Sequence, residues 1–348
     1  MRTFDGIFWK IFIPFIILII TILFFPYWFT SRSCFNLDFS TTGEVGDTIG
    51  GILGPFIAIA AAILTFFAFW VQFKANEQQR NDIRIERFEN KFYELLRLHK
   101  ENISEIKINY YNGSVEMRKA FVSMFNELRY TYWICKKKYE EMKANNAINE
   151  DYSDERLVKL AYIFFYSGVG SNSNMISRAI NENPDPEIKF NDVFFEKVLE
   201  SLKELKERKD LRIPLIGNDG NEILLKIRYL PWGGHQSRLG HYYRHLFQTV
   251  KFVVAQPPEL LQKEKKIEYL RTLRAQLSDH EQLMLYYNAI SGFGGAWIND
   301  IKNNNTNYFT EYYMIHNIPL PLANFGIRPD IKFARQLQED ETLFDWLE

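Results

Sequence analysis

The sequence predicts a mainly α-helical protein, in which an N-terminal transmembrane helical hairpin precedes a mostly helical cytoplasmic domain. Two long apolar runs lie near the N-terminus, at about residues 7–29 and 49–73. Each can cross a hydrocarbon core, which needs about 20 residues. Apolar residues then recur at helical spacing through most of the remaining chain. A turn signal between two short apolar runs adds one small β-hairpin to this prediction.

The first apolar run, Ile7 to Phe29, contains a single charged residue, Lys10. A lysine near the end of a membrane helix can extend its ammonium group to the interface. A signal peptide is the competing interpretation, but the run is long for one. Pro26-Tyr27-Trp28-Phe29 also lacks the small residues of a cleavage site. The pattern therefore favours a retained membrane helix.

The second run, Ile49 to Phe73, has no charged residue. The loop between the runs, residues 30–48, carries one arginine against three acidic residues. Basic residues flank the pair of runs on the other side, at Arg2, Lys10, Lys74, Arg80, Arg84 and Arg87. Because positive charge marks the cytoplasmic side of a membrane protein, we expect both termini in the cytoplasm and the loop outside.

Small residues recur at every fourth position of the second run, at Gly50, Gly54, Ala58 and Ala62. Small residues at this spacing let two membrane helices approach closely. Two interpretations remain open: self-association into a homo-oligomer, and close packing against the first helix of the same chain. Pro55 lies within the same helix and is expected to kink it.

Three regions follow from these patterns: the hairpin at residues 1–75, a helical stalk at 76–110 and a cytoplasmic helical domain at 111–348. Polar residues cover the start of the stalk, and Phe88 and Phe92 then begin an apolar stripe at helical spacing. Read as one helix, Ile49 to Lys100 would extend for about 75 Å.

The cytoplasmic domain contains eight predicted helices and one predicted hairpin. The helices are expected at 115–143, 155–166, 192–208, 238–254, 258–276, 279–291, 308–316 and 332–347. Ser278 and Glu281 give the sixth of these helices a capping signal. The hairpin is expected at Leu211 to Leu230, around Gly217-Asn218-Asp219-Gly220.

Composition limits the classes of function. The 348 residues carry a formal net charge of -1, which excludes a chain-wide electrostatic grip on nucleic acid but leaves a local basic patch open. The only cysteines are Cys34 and Cys135, and the predicted topology places them on opposite sides of the membrane. No metal-type cysteine spacing occurs, and no cofactor is predicted.

One predicted helix carries arginine and histidine residues of the kind that take part in catalysis or metal binding. If residues 238–254 are helical, Arg238, His241 and His245 share one arc of the surface, with Gln248 beside them. The other side of the helix is apolar, with Leu239, Tyr243, Leu246, Phe247, Val250, Val253 and Val254. This helix is therefore expected to pack by one side and to present an arginine and two imidazoles on the other.

Three interpretations of this polar face compete. The first is a solvated or hydrogen-bonded structural surface. The second is a metal-independent ribonuclease site, in which an imidazole transfers protons and an arginine stabilises phosphorane charge. Arg238 and His245, separated by six residues, match the loose arginine–histidine signature of HEPN ribonucleases. The third is zinc, because His241 and His245 are spaced as metal ligands, although no glutamate of an HExxH motif lies between them.

Aromatic and basic residues alternate on the same helix, at Tyr242, Tyr243, Arg244 and Lys251. Such residues can hold RNA, although core and rim positions are the simpler interpretation. Arg244 therefore joins Arg238, His241 and His245 as a candidate catalytic residue, and RNA is a candidate partner.

In four segments the chain resembles the phage abortive infection proteins of the AbiC-like family. The segments are Gly46 to Pro55, Arg87 to Leu96, Gly240 to Phe247, and Leu273 to Ser278 followed by Leu285 to Asn288. The resemblance implies a role in bacterial antiviral defence, in which the infected cell is arrested or killed and phage propagation stops. A bacterial role, together with the two apolar runs and their flanking charges, places the chain in the bacterial inner membrane, with both termini and the main domain in the cytoplasm. The resemblance also implies a phage-derived trigger. It does not imply a catalytic mechanism.

Three classes of mechanism follow from the resemblance and the residues together. The body is either a dimeric ribonuclease using Arg238 and His245, or a sensor that makes the membrane hairpin leak ions. The third class is a scaffold that recruits a separate effector.

Overall fold

A computed structural model of the chain describes residues 13–17, 19–22, 24, 27, 42–110, 113–170, 176–177, 180, 188–207, 211–216, 222–227 and 229–345. The described part is mainly helical, as predicted, with two small antiparallel sheets. Contacts within the chain divide it into two compact units, Met1–Ile85 and Glu86–Glu348.

Within the first unit, the described residues of the predicted first membrane helix are helical, at 13–17, 19–22, 24 and 27. The rest of that run lies outside the described residues, as do residues 30–41 of the predicted loop. Helix α1, Thr42–Glu105, spans 64 residues and contains Pro55. It begins seven residues before the predicted start at Ile49, and its first turn contains Glu44, whose charge suits the positive end of the helix dipole.

The apolar part of α1 is exposed. Among the described helices, α1 from Gly50 onward is long and apolar enough to cross a membrane. The side chains of Phe66, Phe69 and Phe73 are each more than 60% exposed. No described part of the chain therefore buries these aromatic side chains.

Within the second unit, five helices form the main bundle: α2 (Arg118–Ala144), α3 (Asp154–Ser167), α4 (Asp192–Lys206), α5 (Gln236–Val254) and α7 (Asp279–Ile290). Helix α6, Lys263–Arg274, follows α5 and packs on it. Helix α2 contacts α3, α4 and α7, and its buried residues include Phe121, Phe125 and Leu128. Apolar residues at helical spacing predict each of these helices. Most of their observed boundaries agree with the sequence prediction to within a few residues.

Side-chain caps fix several helix starts. Ser153 accepts a hydrogen bond from the backbone N–H of Arg156 at the start of α3, and Asn191 accepts from Val193 and Phe194 at the start of α4. The predicted cap at Ser278 is confirmed, since its backbone N–H donates to Glu281 Oε2 at 2.8 Å. These groups satisfy backbone donors that the helices themselves leave without partners.

The predicted hairpin is confirmed by β3 (Leu211–Ile216) and β4 (Glu222–Ile227), which pair antiparallel with Leu211 opposite Ile227. Its turn, Gly217 to Gly220, lies outside the described residues. A second hairpin was missed: β1 (Lys107–Tyr110) pairs with β2 (Gly113–Glu116). The prediction of helix from Val115 was therefore wrong for its first residues, and the Asn112-Gly113 pair was the overlooked turn signal.

The C-terminal part is less helical than predicted. It contains α8 (Tyr308–Glu311), α9 (Pro329–Lys332) and α10 (Ala334–Glu339), with 3-10 turns at Gly295–Trp297, Ile301–Asn303 and Glu341–Leu343. The predicted helix 308–316 stops early because Tyr313 adopts a φ of 56°, which is incompatible with a right-handed helix. The predicted helix 332–347 breaks at Asp340, whose side chain accepts from Thr342 N–H and starts a new turn.

Candidate functional site

Helix α5 has the two-sided character that its sequence predicts. Leu239, Leu246 and Val250 are completely buried, whereas Arg238 and His241 are exposed. Tyr242 and Tyr243 are also buried, so their rings belong to the core and are not available to stack on RNA. Tyr242 donates a hydrogen bond to Glu281 Oε1 at 3.1 Å, and Tyr243 donates to the Met284 carbonyl at 3.0 Å.

The loop before α5 is fixed by a buried carboxylate on α2. Glu127 is fully buried, and its Oε1 accepts the backbone N–H of Trp232 at 2.9 Å. Its Oε2 lies 3.0 Å from His235 Nε2 and also accepts from the Tyr229 hydroxyl. Because a carboxylate only accepts hydrogen bonds, His235 presents a protonated Nε2 to it. Trp232 adds a second link, since its indole N–H donates to Thr131 at 2.8 Å.

Two glycines let the same loop touch the end of α3. Gly168 and Gly234 both have positive φ, at 83° and 86°. A Cβ on Gly168 would lie 2.8 Å from Gly234 N, so the backbones meet where no larger residue fits. The backbone N–H of His235 donates to the Tyr166 carbonyl at 2.9 Å and completes the junction. The start of α5 is therefore fixed by two contacts, one with Glu127 of α2 and one with the end of α3.

Arg238 is positioned by backbone carbonyls. Its Nε donates to Lys107 O at 3.0 Å, and a terminal nitrogen donates to Gly234 O at 3.3 Å. The guanidinium thus links the first residue of β1 to the loop before α5. Two of its N–H donors therefore hold backbone segments together, although the Arg238 side chain is exposed.

His245 is half-buried and lies beside a second histidine that sequence reasoning missed. The rings of His245 and His99 are stacked, with centroids 6.1 Å apart, and His99 is 1% exposed. None of the four ring nitrogens has a hydrogen-bond partner in the described structure. His99 continues the apolar stripe of Phe88 and Phe92 along α1, and that spacing was the available signal.

Burial keeps both imidazoles neutral. Desolvation, then the charges of His245 and Arg118, lower the pKa of His99 to about 4. Desolvation also lowers the pKa of His245. Both rings are therefore uncharged near neutral pH, and a neutral imidazole can accept a proton.

Three adjoining clefts border the polar face of α5. The histidine cleft, of about 590 Å³, lies between α5 and the end of α1, and Asn102, Glu105, Arg238, His241 and His245 line it. The glycine cleft, of about 510 Å³, is lined by residues that include Tyr166, Gly233, Gly234, His241 and Arg244. The aromatic cleft, of about 240 Å³, is lined by residues that include Tyr166, Gly240, Arg244, Phe293 and Trp297. Arg244 lines all three clefts.

The structure thus brings Arg238, His241, Arg244 and His245 to the wall of the histidine cleft. Neither His241 nor Arg244 forms a hydrogen bond or ion pair with another described residue. The zinc interpretation finds no support in the donor set, because the described residues contain no group of three His, Cys, Asp or Glu side chains that could hold a metal ion.

The small residues of α1 belong to the first unit. Gly50, Gly54, Ala58 and Ala62 are all exposed. A Cβ added at Gly50 or Gly54 would have no described atom within 4 Å. No described residue therefore packs against Gly50 or Gly54 on this side of the helix.

Comparison with known proteins gives one family match, over the region that forms these clefts. Residues 234–322 match a family model described as "putative phage abortive infection protein". No curated protein and no solved structure matches the chain. The matched residues include all of α5 and α7 and the four candidate residues Arg238, His241, Arg244 and His245. Over this segment, the chain shows the family resemblance to phage abortive infection proteins that its sequence predicts.

Proposed function

We propose that this protein is a membrane-anchored effector of abortive infection, which stops phage propagation by arresting or killing the infected cell. The observation that carries the proposal is the match of residues 234–322 to the abortive infection family. The same residues form the polar face of α5 and most of the three clefts. The matched segment therefore includes Arg244 and His241, which are exposed and form no hydrogen bond or ion pair with the described residues.

The proposed anchor is the hairpin at residues 1–75, with both termini and the main domain in the cytoplasm of a bacterial cell. Its support is the apolar, exposed part of α1 together with the basic residues that follow it. Residues 76–110 act as the stalk, and residues 111–348 act as the cytoplasmic domain. A phage-derived trigger activates the protein, which works as a homo-oligomer through the small residues of α1.

The test is phage plaquing on cells that express the wild-type chain or the His241→Ala/His245→Ala variant, with membrane levels matched by blotting. We expect the variant to lose protection at equal abundance, because both side chains line the histidine cleft. His316→Ala serves as the control, since His316 is half-buried outside the clefts and bonds to the Leu343 carbonyl. Absence of protection by the wild-type chain itself would contradict the defence role.

A ribonuclease is the second candidate function, and the shared cleft wall of Arg238 and His245 favours it. A neutral His245 can accept the proton of a ribose 2′-hydroxyl, and Arg238 can stabilise the negative charge that develops at phosphorus. The purified chain should then cleave RNA without added metal, and His245→Ala should abolish the cleavage. Undiminished cleavage by that variant would exclude His245 from the mechanism.

A non-enzymatic effector is distinguished by the membrane potential of infected cells. In that case the hairpin reorganises and leaks ions, and Gly54→Leu disturbs it by placing a large side chain on the open small-residue side of α1. Infected, protected cells should then depolarise, and the variant should not. A membrane potential that stays constant in protected cells would exclude the leak.

A further inference from the structure

The three clefts meet at Arg244, and this junction has the chemistry of a ligand site. Arg244 is exposed, and it forms no ion pair or hydrogen bond with the described residues around it. His241, which lines two of the clefts, is also exposed, and its imidazole can donate a hydrogen bond. An arginine that has no hydrogen bond or ion pair with the described residues, at the meeting point of three clefts, provides a place for an anion.

An aromatic recess lies next to Arg244. Phe293 is 51% exposed although it is a large apolar residue, and its ring centroid is 4.8 Å from that of Tyr166. Phe247 and Trp297 line the same aromatic cleft. An exposed phenylalanine ring, with buried and half-buried aromatic rings around it and an arginine beside it, suits a ligand that has a flat heteroaromatic base and a charged end.

Two glycines keep this region open. Gly240 lies inside α5, where glycine costs about 1 kcal/mol relative to alanine. A Cβ there would lie 3.3 Å from the Tyr166 hydroxyl, so the missing side chain gives the tyrosine room between the glycine and aromatic clefts. Gly294 lets its loop approach α7, because a Cβ at that position would be 2.2 Å from Asn288 Oδ1.

The charge balance favours a small ligand over a nucleic acid strand. The histidine cleft also has the acidic residue Glu105 on its wall, and Arg238 already donates to two backbone carbonyls. A groove that follows a nucleic acid backbone needs a continuous row of cations. The glycine cleft, at about 510 Å³, falls in the usual size range of small-molecule sites, roughly 300–1,000 Å³.

We propose that the glycine and aromatic clefts bind a nucleotide that carries two or more phosphates. The base lies against Phe293 and Tyr166, and the phosphates lie against Arg244 and His241. Nucleotide binding at this site does not depend on the membrane anchor. Resting on the proposed function, it gives the protein a means of responding to the nucleotide content of an infected cell.

The test is nucleotide binding to the purified full-length chain in detergent, measured by calorimetry. The probes are ADP, GDP, CDP and UDP, with adenosine, inorganic pyrophosphate and a short single-stranded RNA for comparison. At least one nucleoside diphosphate should bind more tightly than either adenosine or pyrophosphate, because only the intact nucleotide reaches both clefts.

Two variants separate the two halves of the site. Arg244→Gln should weaken binding of that nucleotide about tenfold or more, since it removes a charged hydrogen-bond donor. Phe293→Ala should weaken it by a similar factor, through loss of stacking. Arg271→Gln and Ile331→Ala, which change exposed side chains of α6 and α9, are the matched controls and should bind normally. Circular dichroism confirms that each variant is folded.

Three results would overturn the proposal. One is the absence of binding by any of the four diphosphates at millimolar concentration. Another is unchanged affinity in Arg244→Gln. The third is binding of the RNA strand alone, which would assign the junction to RNA. None of these results bears on phage protection or on the membrane anchor, so failure here is distinguishable from failure of the proposed function.

Discussion

His235 and His245 lie ten positions apart at the two ends of the polar stretch of α5, and they have opposite surroundings. His235 is 3% exposed, faces the Glu127 carboxylate at 3.0 Å and stacks on Phe165 with centroids 4.6 Å apart. His245 is half-buried and lines a cleft, and neither of its ring nitrogens has a hydrogen bond to a described residue. The His235 ring is therefore hydrogen-bonded within the core, whereas both ring nitrogens of His245 lack a partner among the described residues.

The difference comes from the helices that face them. Helix α2 presents a carboxylate to His235, and α1 presents only the neutral ring of His99 to His245. Removing the charged partner of a buried polar group destabilises the fold, because the group is left without a hydrogen bond. A buried polar group that has no partner already lowers the free energy of unfolding. We therefore expect the first histidine to matter for stability and the second for function.

The largest expected effect is from Glu127→Ala. It would leave the His235 ring, the Trp232 N–H and the Tyr229 hydroxyl without their acceptor in a buried site. We expect a loss of about 3–5 kcal/mol in the free energy of unfolding, measured by urea denaturation of the detergent-solubilised chain. Glu127→Gln retains one acceptor oxygen and should cost less. A loss below about 1 kcal/mol for the alanine variant would show that the network is not needed.

The pH dependence of stability tests His99. Its pKa is about 4 in the folded chain, below the value of 6.5 expected without burial. Between these pH values the unfolded chain binds more protons, so stability is full above pH 6.5 and falls as the pH drops towards 4. The contribution lost is on the order of 3 kcal/mol.

The matched variant is His99→Leu, which removes the titrating group and fills the apolar site. The slope of unfolding free energy against pH should flatten over that window, and stability at pH 7 should be equal or higher. If the slope is unchanged, another group causes the acid sensitivity.

The smallest expected effect on stability is from His245→Gln. Because its ring forms no hydrogen bond, the unfolding free energy should change by less than about 1 kcal/mol. His235→Gln should cost clearly more, because it loses the bond to Glu127 and the stacking on Phe165. Plaquing assays should show the reverse order at matched abundance, with protection lost for His245→Gln. Equal destabilisation by the two substitutions would assign both histidines to the fold.

The sequence predicted the main helices and one hairpin, because their signals are local. Apolar residues that recur every three or four positions predict α2 to α7. The turn signal from Gly217 to Gly220 separates β3 from β4. It missed β1 and β2, where strands of only four residues are too short to show a period. It overestimated the C-terminal helices, where Tyr313 and Asp340 break the pattern through backbone conformations that depend on neighbouring segments.

The sequence predicted which residues share the candidate surface of α5, but not which residues of other helices contact them. Periodicity alone places Arg238, His241 and His245 on one side of α5, because a helix repeats every 3.6 residues. The roles of Glu127 and His99 depend on residues more than 100 positions away, and no local pattern connects them with α5.

The sequence by itself determined the helical class of the fold, the exposed apolar stretch of α1 and which side of α5 packs inward. These properties depend on the order of residues within one element. Only the tertiary structure decided that His235 is bound while His245 stays unpaired, and that three clefts meet at Arg244. The physical reason is that burial and hydrogen bonding depend on the atoms that neighbouring elements supply.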